Sequence, residues 1–278
     1  MAYAIRACLI PLLSLLGCGG CGSQKGVSSN GPTDDGAVAA DASPPPPDSG
    51  AVCTAGGPQP VTFTTDDGVT LAADLYTTGK TGGAAVILLH MVPPQNDRTN
   101  YPPEFITALV GRGLTVLNVD RRGAGDSGGV ALDAYKGPKG KLDAKAAQAF
   151  LLAHPCAPGP TRIAFVGASN GTTTALDFTV FAAGDATVPV PAALVFLTGG
   201  TYTENQNAMS ANRAVLDRLP ILFVFSTAER AWSAPFETNA PAAWQFKEYN
   251  PGGHGTRMFQ AQPRSIDDVA GFLAGALK

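Results

Sequence analysis

Ser169 is the residue around which chemistry could be built in this sequence. It stands at the centre of Gly167-Ala168-Ser169-Asn170-Gly171. The apolar run Ile163-Ala164-Phe165-Val166 before it has strand character, and Thr172-Thr173-Thr174-Ala175-Leu176-Asp177-Phe178 after it is compatible with a helix. A strand that turns sharply into a helix presents a serine hydroxyl at the tip of the turn. Gly167 and Gly171 leave room for the two elements to approach. The backbone N–H of Asn170, at the start of the helix, is unpaired and lies at the positive end of the helix dipole, which favours an anion. The chemistry such a serine serves is nucleophilic attack on an acyl carbon. Its hydroxyl needs a base to remove the proton. Imidazole suits that task because its pKa lies near neutral pH, and the chain has three histidines, His90, His154 and His254.

The elements that must position these groups can be read from the order of apolar runs. Residues 61–65 and 69–76 are rich in β-branched residues and are joined by Asp66-Asp67-Gly68, a hairpin signal. The continuous apolar runs 84–89 and 114–119 suit strands buried on both faces. A helix is expected over 101–112, ending at Gly113, and another over 139–154. After the serine come strands at 193–198, 221–225 and 244–249, a helical stretch near 206–218, and a closing amphipathic helix at 266–277. Strands alternating with helices predict an α/β fold, with a mostly parallel central sheet covered by helices on both faces and an antiparallel pair at one edge. Reactive groups in such a sheet gather at the carboxyl ends of the strands.

The 278 residues divide by composition. Residues 1–17 read as a secretion signal, with Arg6 ahead of the apolar run 7–16, which is too short to span a membrane. The run ends in Leu15-Leu16-Gly17-Cys18, which resembles a bacterial lipobox. That resemblance implies lipidation of Cys18, and Gly19 after it implies sorting to the outer membrane of a bacterial cell envelope. Residues 18–52, rich in Gly, Ser, Asp and Pro, read as an anchor and disordered tether. Residues 53–278 are expected to form the folded domain, with 17 basic and 18 acidic residues among them. That near-neutral balance gives no reason to expect a nucleic-acid partner.

Four segments of that domain together resemble the α/β-hydrolase family, of the esterase or dienelactone-hydrolase kind. They are Leu88-Leu89-His90 before a proline-rich loop; Asp120-Arg121-Arg122-Gly123-Ala124-Gly125-Asp126-Ser127; the serine pentapeptide; and Ser226-Thr227-Ala228-Glu229 followed by Gly253-His254-Gly255. In this family the nucleophile precedes the acid and the acid precedes the histidine. His90 and His154 lie before Ser169, which leaves His254 as the base. Of the carboxylates between Ser169 and His254, only Glu229 lies just past the end of a buried apolar strand, and it is the expected acid. Relatives more often carry aspartate there. Asn170 supplies one backbone donor to the oxyanion. The other is expected from Met91, which stands where relatives often have glycine, or from Val92, because Pro93 and Pro94 have no N–H. Arg121 and Arg122 are expected to brace the loop after the strand 114–119.

These residues imply a serine hydrolase acting on carboxylic esters. A peptidase or amidase using the same triad, and an inactive lipoprotein that uses the fold only for binding, are the alternatives. No metal cluster or phosphate-binding glycine loop is visible, so no cofactor is expected. The expected partners are a small ester substrate and a membrane reached through the lipid anchor; nothing in the sequence sets the oligomeric state. Only 22 residues separate Thr198 from Ile221, too few for a large lid, which predicts an open site and short or soluble esters. Cys53 and Cys156 border the domain and are the expected disulfide in an oxidising compartment.

Overall fold

The computed structural model describes residues 53–156, 162–203 and 207–278. The expected signal 1–17, the tether 18–52 and Cys18 lie outside these residues. Strands β1 (Ala55–Thr64), β2 (Thr70–Thr78), β3 (Ala85–Leu89), β4 (Thr115–Val119), β5 (Ile163–Ala168), β6 (Ala193–Leu197), β7 (Ile221–Ser226) and β8 (Trp244–Tyr249) form one sheet. Its order is β1-β2-β4-β3-β5-β6-β7-β8. β1 and β2 pair antiparallel with each other, and β2 pairs antiparallel with β4. From β4 through β8 every pairing is parallel. The carboxyl ends of β3, β5, β6, β7 and β8 therefore face the same way, and the loops that carry the candidate residues meet there.

Every residue of β3, β4, β5, β6 and β7 is buried, because helices cover both faces. Alternation along each strand sends its side chains to two cores. Ile87, Leu117, Phe165, Phe196 and Phe223 pack on the side of α2 (Gly140–Ala153) and α3 (Asn170–Ala183). Val86, Leu88, Val116, Val166 and Val224 pack on the side of α1 (Pro103–Gly111) and α6 (Arg264–Ala276). The helix expected near 206–218 is reduced to a 3-10 turn at Ser210–Asn212 and one turn of α4 (Arg213–Leu216). Polar residues there bond elsewhere: Asn207 reaches Asp177, and the Asn212 amide donates to Ala208 O at 2.8 Å. A short helix α5 (Arg257–Ala261) follows the histidine loop and has no counterpart in the sequence reading. Cys53 is bridged to Cys156, tying the start of β1 to the chain after α2 across 103 residues of sequence. A loop of that length loses much unfolded-state entropy on closure, about 4–5 kcal/mol in the chain-entropy model.

Buried polar side chains fix the loops at the sheet's carboxyl edge. Arg122 grips Asp143 through Nε at 2.7 Å and Asp67 through both terminal nitrogens, so it ties the hairpin turn to α2. Arg121 braces the loop after β4 at Ala134, as expected, and also reaches under the loop after β3. Its Nη1 donates to His90 O at 3.2 Å and Met91 O at 3.3 Å, and its Nη2 to Ala134 O and Thr174 Oγ1. His90 is wholly buried between these groups. Its Nδ1 donates to Met91 O at 2.7 Å, while its Nε2 accepts the Arg121 backbone N–H at 2.9 Å. Both nitrogens are used by the neutral imidazole, and a second proton would have no acceptor. Burial, aided by the charge of Arg121, pushes the His90 pKa down to about 3.

This fixes the sign of one pH dependence. Below an unfolded pKa of about 6.5 the unfolded chain binds a proton that folded His90 refuses until about pH 3, so stability is full above that upper value and falls between the two. The loss from His90 alone should reach about 2–3 kcal/mol between about pH 7 and pH 4.5. His154, lowered by burial, acts in the same direction. Urea unfolding of the wild type and of His90→Asn at both pH values isolates the imidazole: the variant should show a visibly shallower pH dependence. Equal slopes would contradict a buried neutral His90.

Candidate active site

The turn between β5 and α3 places Ser169 at φ 49°, ψ −118°, a left-handed conformation that L-residues seldom adopt. Two contacts explain why the backbone is forced there. A Cβ on Gly167 would run into the carbonyl of Gly171, and a Cβ on Gly171 would run into the carbonyls of Leu89 and His90. The strand, the helix and the end of β3 therefore meet backbone to backbone around the serine. The Ser169 N–H donates to Leu197 O at 2.8 Å, and Ser169 O accepts both the N–H and the hydroxyl of Thr172. These bonds hold the residue in its strained state, which costs on the order of 1–3 kcal/mol.

His254 lies in the loop between β8 and α5. Its Nε2 is 2.7 Å from Ser169 Oγ, and its Nδ1 is 2.6 Å from Glu229 Oε1. A carboxylate facing Nδ1 retains the proton there and leaves Nε2 as the acceptor toward the serine. Glu229 ends a 3-10 turn that continues directly from β7. The Ser226 hydroxyl donates to its other oxygen at 3.3 Å. Arg230, the neighbour that could have claimed Glu229, pairs with Glu248 at 3.3 Å and Glu237 at 4.0 Å. Trp232, three residues on from Glu229, lies against Gly199 and edge-on to Phe196, so the segment after the acid is fastened to the segment after β6. The structure thus brings together Ser169, Glu229 and His254 from three strand ends. It leaves His154 at the end of α2, and keeps His90 as a buried brace.

Of the expected oxyanion donors, Asn170 follows Ser169 directly and Met91 lies in the loop after β3, the strand whose end meets Gly171. Asn170 opens α3, and its N–H is not used within the helix. Its buried side chain donates to Thr203 Oγ1 at 2.7 Å and Tyr202 O at 3.3 Å. Met91 is buried, with its sulfur directed at Gly255 and 4.0 Å from Thr256 Oγ1. Thr198, at φ 54°, accepts the Gly255 N–H at 3.0 Å and so fixes the residue after the histidine.

One residue escaped the sequence reading. Tyr202 stands edge-on to His254, ring centroids 5.9 Å apart at 89°, and its hydroxyl donates to Thr198 O at 3.2 Å within reach of Ser169. Burial and the Glu229 charge push its pKa up to about 12, so the phenol keeps its proton. No pattern in the sequence distinguishes a loop tyrosine that turns inward. Ser169 is only 5% exposed, whereas the His254 and Glu229 side chains are about one-third exposed, and among the described residues no large lid follows β6. Beyond Met91 and Thr256 a cleft of about 680 Å³ opens between the Gln95–Glu104 stretch and the residues after His254.

No family model matches the chain, and no curated protein is a detectable relative. Solved structures do match it. The esterase Pf2001 of Pyrococcus furiosus aligns with a TM-score of 0.61 at 20% identity, covering 79% of this chain and 91% of that one. DcsB, solved with its substrate analogue, aligns at 0.60 and 16% identity over 79% of this chain and 99% of its own. The alpha/beta hydrolase GrgF from Penicillium sp. sh18 aligns at 0.56 and 16% identity over 79% and 98%. At such identities the likeness is one of architecture, and it agrees with the strand order and the serine turn: the chain has the α/β-hydrolase fold.

Proposed function

We propose that this protein is a serine hydrolase that cleaves carboxylic esters through an acyl-enzyme. The observation that carries the reading is the unbroken hydrogen-bond chain from Ser169 Oγ through His254 to Glu229, with both links at 2.7 Å or less. In the first half-reaction, Ser169 Oγ attacks the ester carbonyl carbon while its proton passes to His254 Nε2. Glu229 stabilises the imidazolium. The carbonyl oxygen, now negative, is received by the N–H groups of Asn170 and of the Met91 loop. The intermediate collapses by breaking the bond to the alcohol oxygen, which leaves with the proton from His254. Water then repeats the sequence on the acyl-serine and releases the acid. The esterases among the structural neighbours support the ester as the bond cleaved.

The short segment after β6 supports small or soluble esters. A site without a large lid has little apolar wall for a long acyl chain, and each unburied CH₂ forgoes about 0.8 kcal/mol. Ser169→Ala and His254→Ala should each lower kcat for a nitrophenyl butyrate by about 10⁴–10⁶-fold with the fold intact by circular dichroism, and Glu229→Gln by roughly 10³–10⁴-fold. Turnover unchanged in Ser169→Ala would remove the assignment. The same assay should favour butyrate over palmitate, with no jump in rate once the substrate forms an interface; preference for palmitate with interfacial activation would mark a lipase instead.

We further propose that the chain is exported as a lipoprotein of a bacterial envelope, anchored through Cys18, on the strength of the apolar run ending in Leu15-Leu16-Gly17-Cys18. Cells given a labelled fatty acid should label the wild type and not Cys18→Ser. Label retained in the variant would rule this site out.

A further inference from the structure

Arg121 is fully buried and bonds to no carboxylate among the described residues. Its terminal nitrogens donate to three backbone carbonyls and the Thr174 hydroxyl, its Nε has no acceptor among the described residues, and the nearby Asp143 bonds to Arg122. Burying a cation without an ion-pair partner costs several kcal/mol. A neutral side chain could brace a loop at less expense, so the charge at this position calls for a use. Burial lowers the Arg121 pKa to about 10, which still leaves the cation intact at neutral pH.

The two carbonyls that share Nη1 belong to consecutive peptides, His90–Met91 and Met91–Val92. Both are trans, and in a trans peptide the N–H points opposite to the C=O. Gripping the His90 and Met91 oxygens therefore sets the directions of the Met91 and Val92 N–H groups. The His90 imidazole adds a second donor to Met91 O at 2.7 Å. Neither the Met91 N–H nor the Val92 N–H has a hydrogen-bond acceptor among the described residues. Two N–H groups are thus oriented and left unspent in the loop after β3, whose start meets the serine turn at Gly171, with a cation bound to the opposite ends of their peptides. A cation at the carbonyl end polarises the amide and strengthens donation at the other end.

We propose that Arg121 is a positioning residue for the oxyanion: its guanidinium fixes and polarises the two peptides whose N–H groups receive the negative oxygen. This rests on the serine-hydrolase reading. The residue touches neither substrate nor Ser169, so its effect passes through the backbone of Met91 and Val92. Stabilisation of this kind acts on the tetrahedral state and leaves ground-state binding alone.

Arg121→Met removes the charge and the donors while keeping an unbranched chain, and Arg121→Lys keeps the charge but cannot hold the fork of four oxygens. Rates with nitrophenyl butyrate are taken per active site, counted by exhaustive fluorophosphonate labelling. Affinity for phenylboronic acid, which forms a tetrahedral anionic adduct with the serine, is measured alongside. Arg121→Met should lower kcat per site about 10²-fold, with KM within about threefold, and weaken the boronic acid by a comparable factor. Arg121→Lys should lose about tenfold in both. A brace that serves only folding would reduce the number of titratable sites and leave kcat per site and boronate affinity at wild-type values; that result overturns the proposal, as does a raised KM with kcat intact. If Arg121→Met does not fold, the lysine variant decides on the same criteria. A wild type that neither hydrolyses the ester nor takes the probe would instead remove the serine-hydrolase reading beneath it.

Discussion

The close approach of three backbones at Ser169 is the constraint on which the rest of the structure depends. Gly171 lies against the carbonyls of Leu89 and His90, and Gly167 lies against Gly171. No side chain fits between them. That contact sets where α3 begins relative to β5, and so where the Ser169 hydroxyl and the Asn170 N–H point. It also joins the serine turn to the end of β3, and so brings the start of the Met91 loop to that turn. The parallel pairing of β3 with β5, and of β5 with β6, makes the approach possible. A helix-covered sheet with buried strands supplies the rigidity that a residue at φ 49° requires.

Around that contact the polar groups divide by what encloses them. His90 and Arg121 are sealed in and hold backbone, whereas His254 and Glu229 are each about one-third exposed and face the serine. Two histidines near one site thus have opposite characters. His90 is kept neutral by burial and a donated backbone N–H, while His254 presents an acceptor nitrogen to a hydroxyl. The loops that carry Glu229 and His254 are fastened to the segment after β6, through Trp232 on Gly199 and through Gly255 on Thr198. A change in that segment would be felt at Glu229 and His254 together.

Much of this was legible in the sequence because it is periodic or local. The buried strands announce themselves as apolar runs, and the serine turn needs glycines at fixed offsets. Ser169, Glu229 and His254 could be selected because each sits just after a strand, where the fold gathers reactive groups. What could not be read depends on contacts between distant loops. Tyr202 turns inward because Asn170 and Thr203 hold its segment, and neither bond has a local signature. Arg121 and Arg122 are adjacent and alike in type, yet one reaches carbonyls under the Met91 loop and the other carboxylates on two elements. Only the alternation of their directions at the end of β4 separates them. The helix expected near 206–218 is reduced because its polar residues take other bonds, Asn207 to Asp177 and the Asn212 side chain back to the carbonyl of Ala208.

The central claim is that the Ser169–His254–Glu229 chain carries an acyl group in covalent form. Rapid acid quenching during turnover of a nitrophenyl ester, followed by peptide mass spectrometry, measures this directly. The account predicts a transient mass increase of one acyl group, confined to the peptide that contains Ser169 and lost as hydrolysis completes. Ester hydrolysis with no acylated peptide, or with the acyl group on another residue, would contradict it.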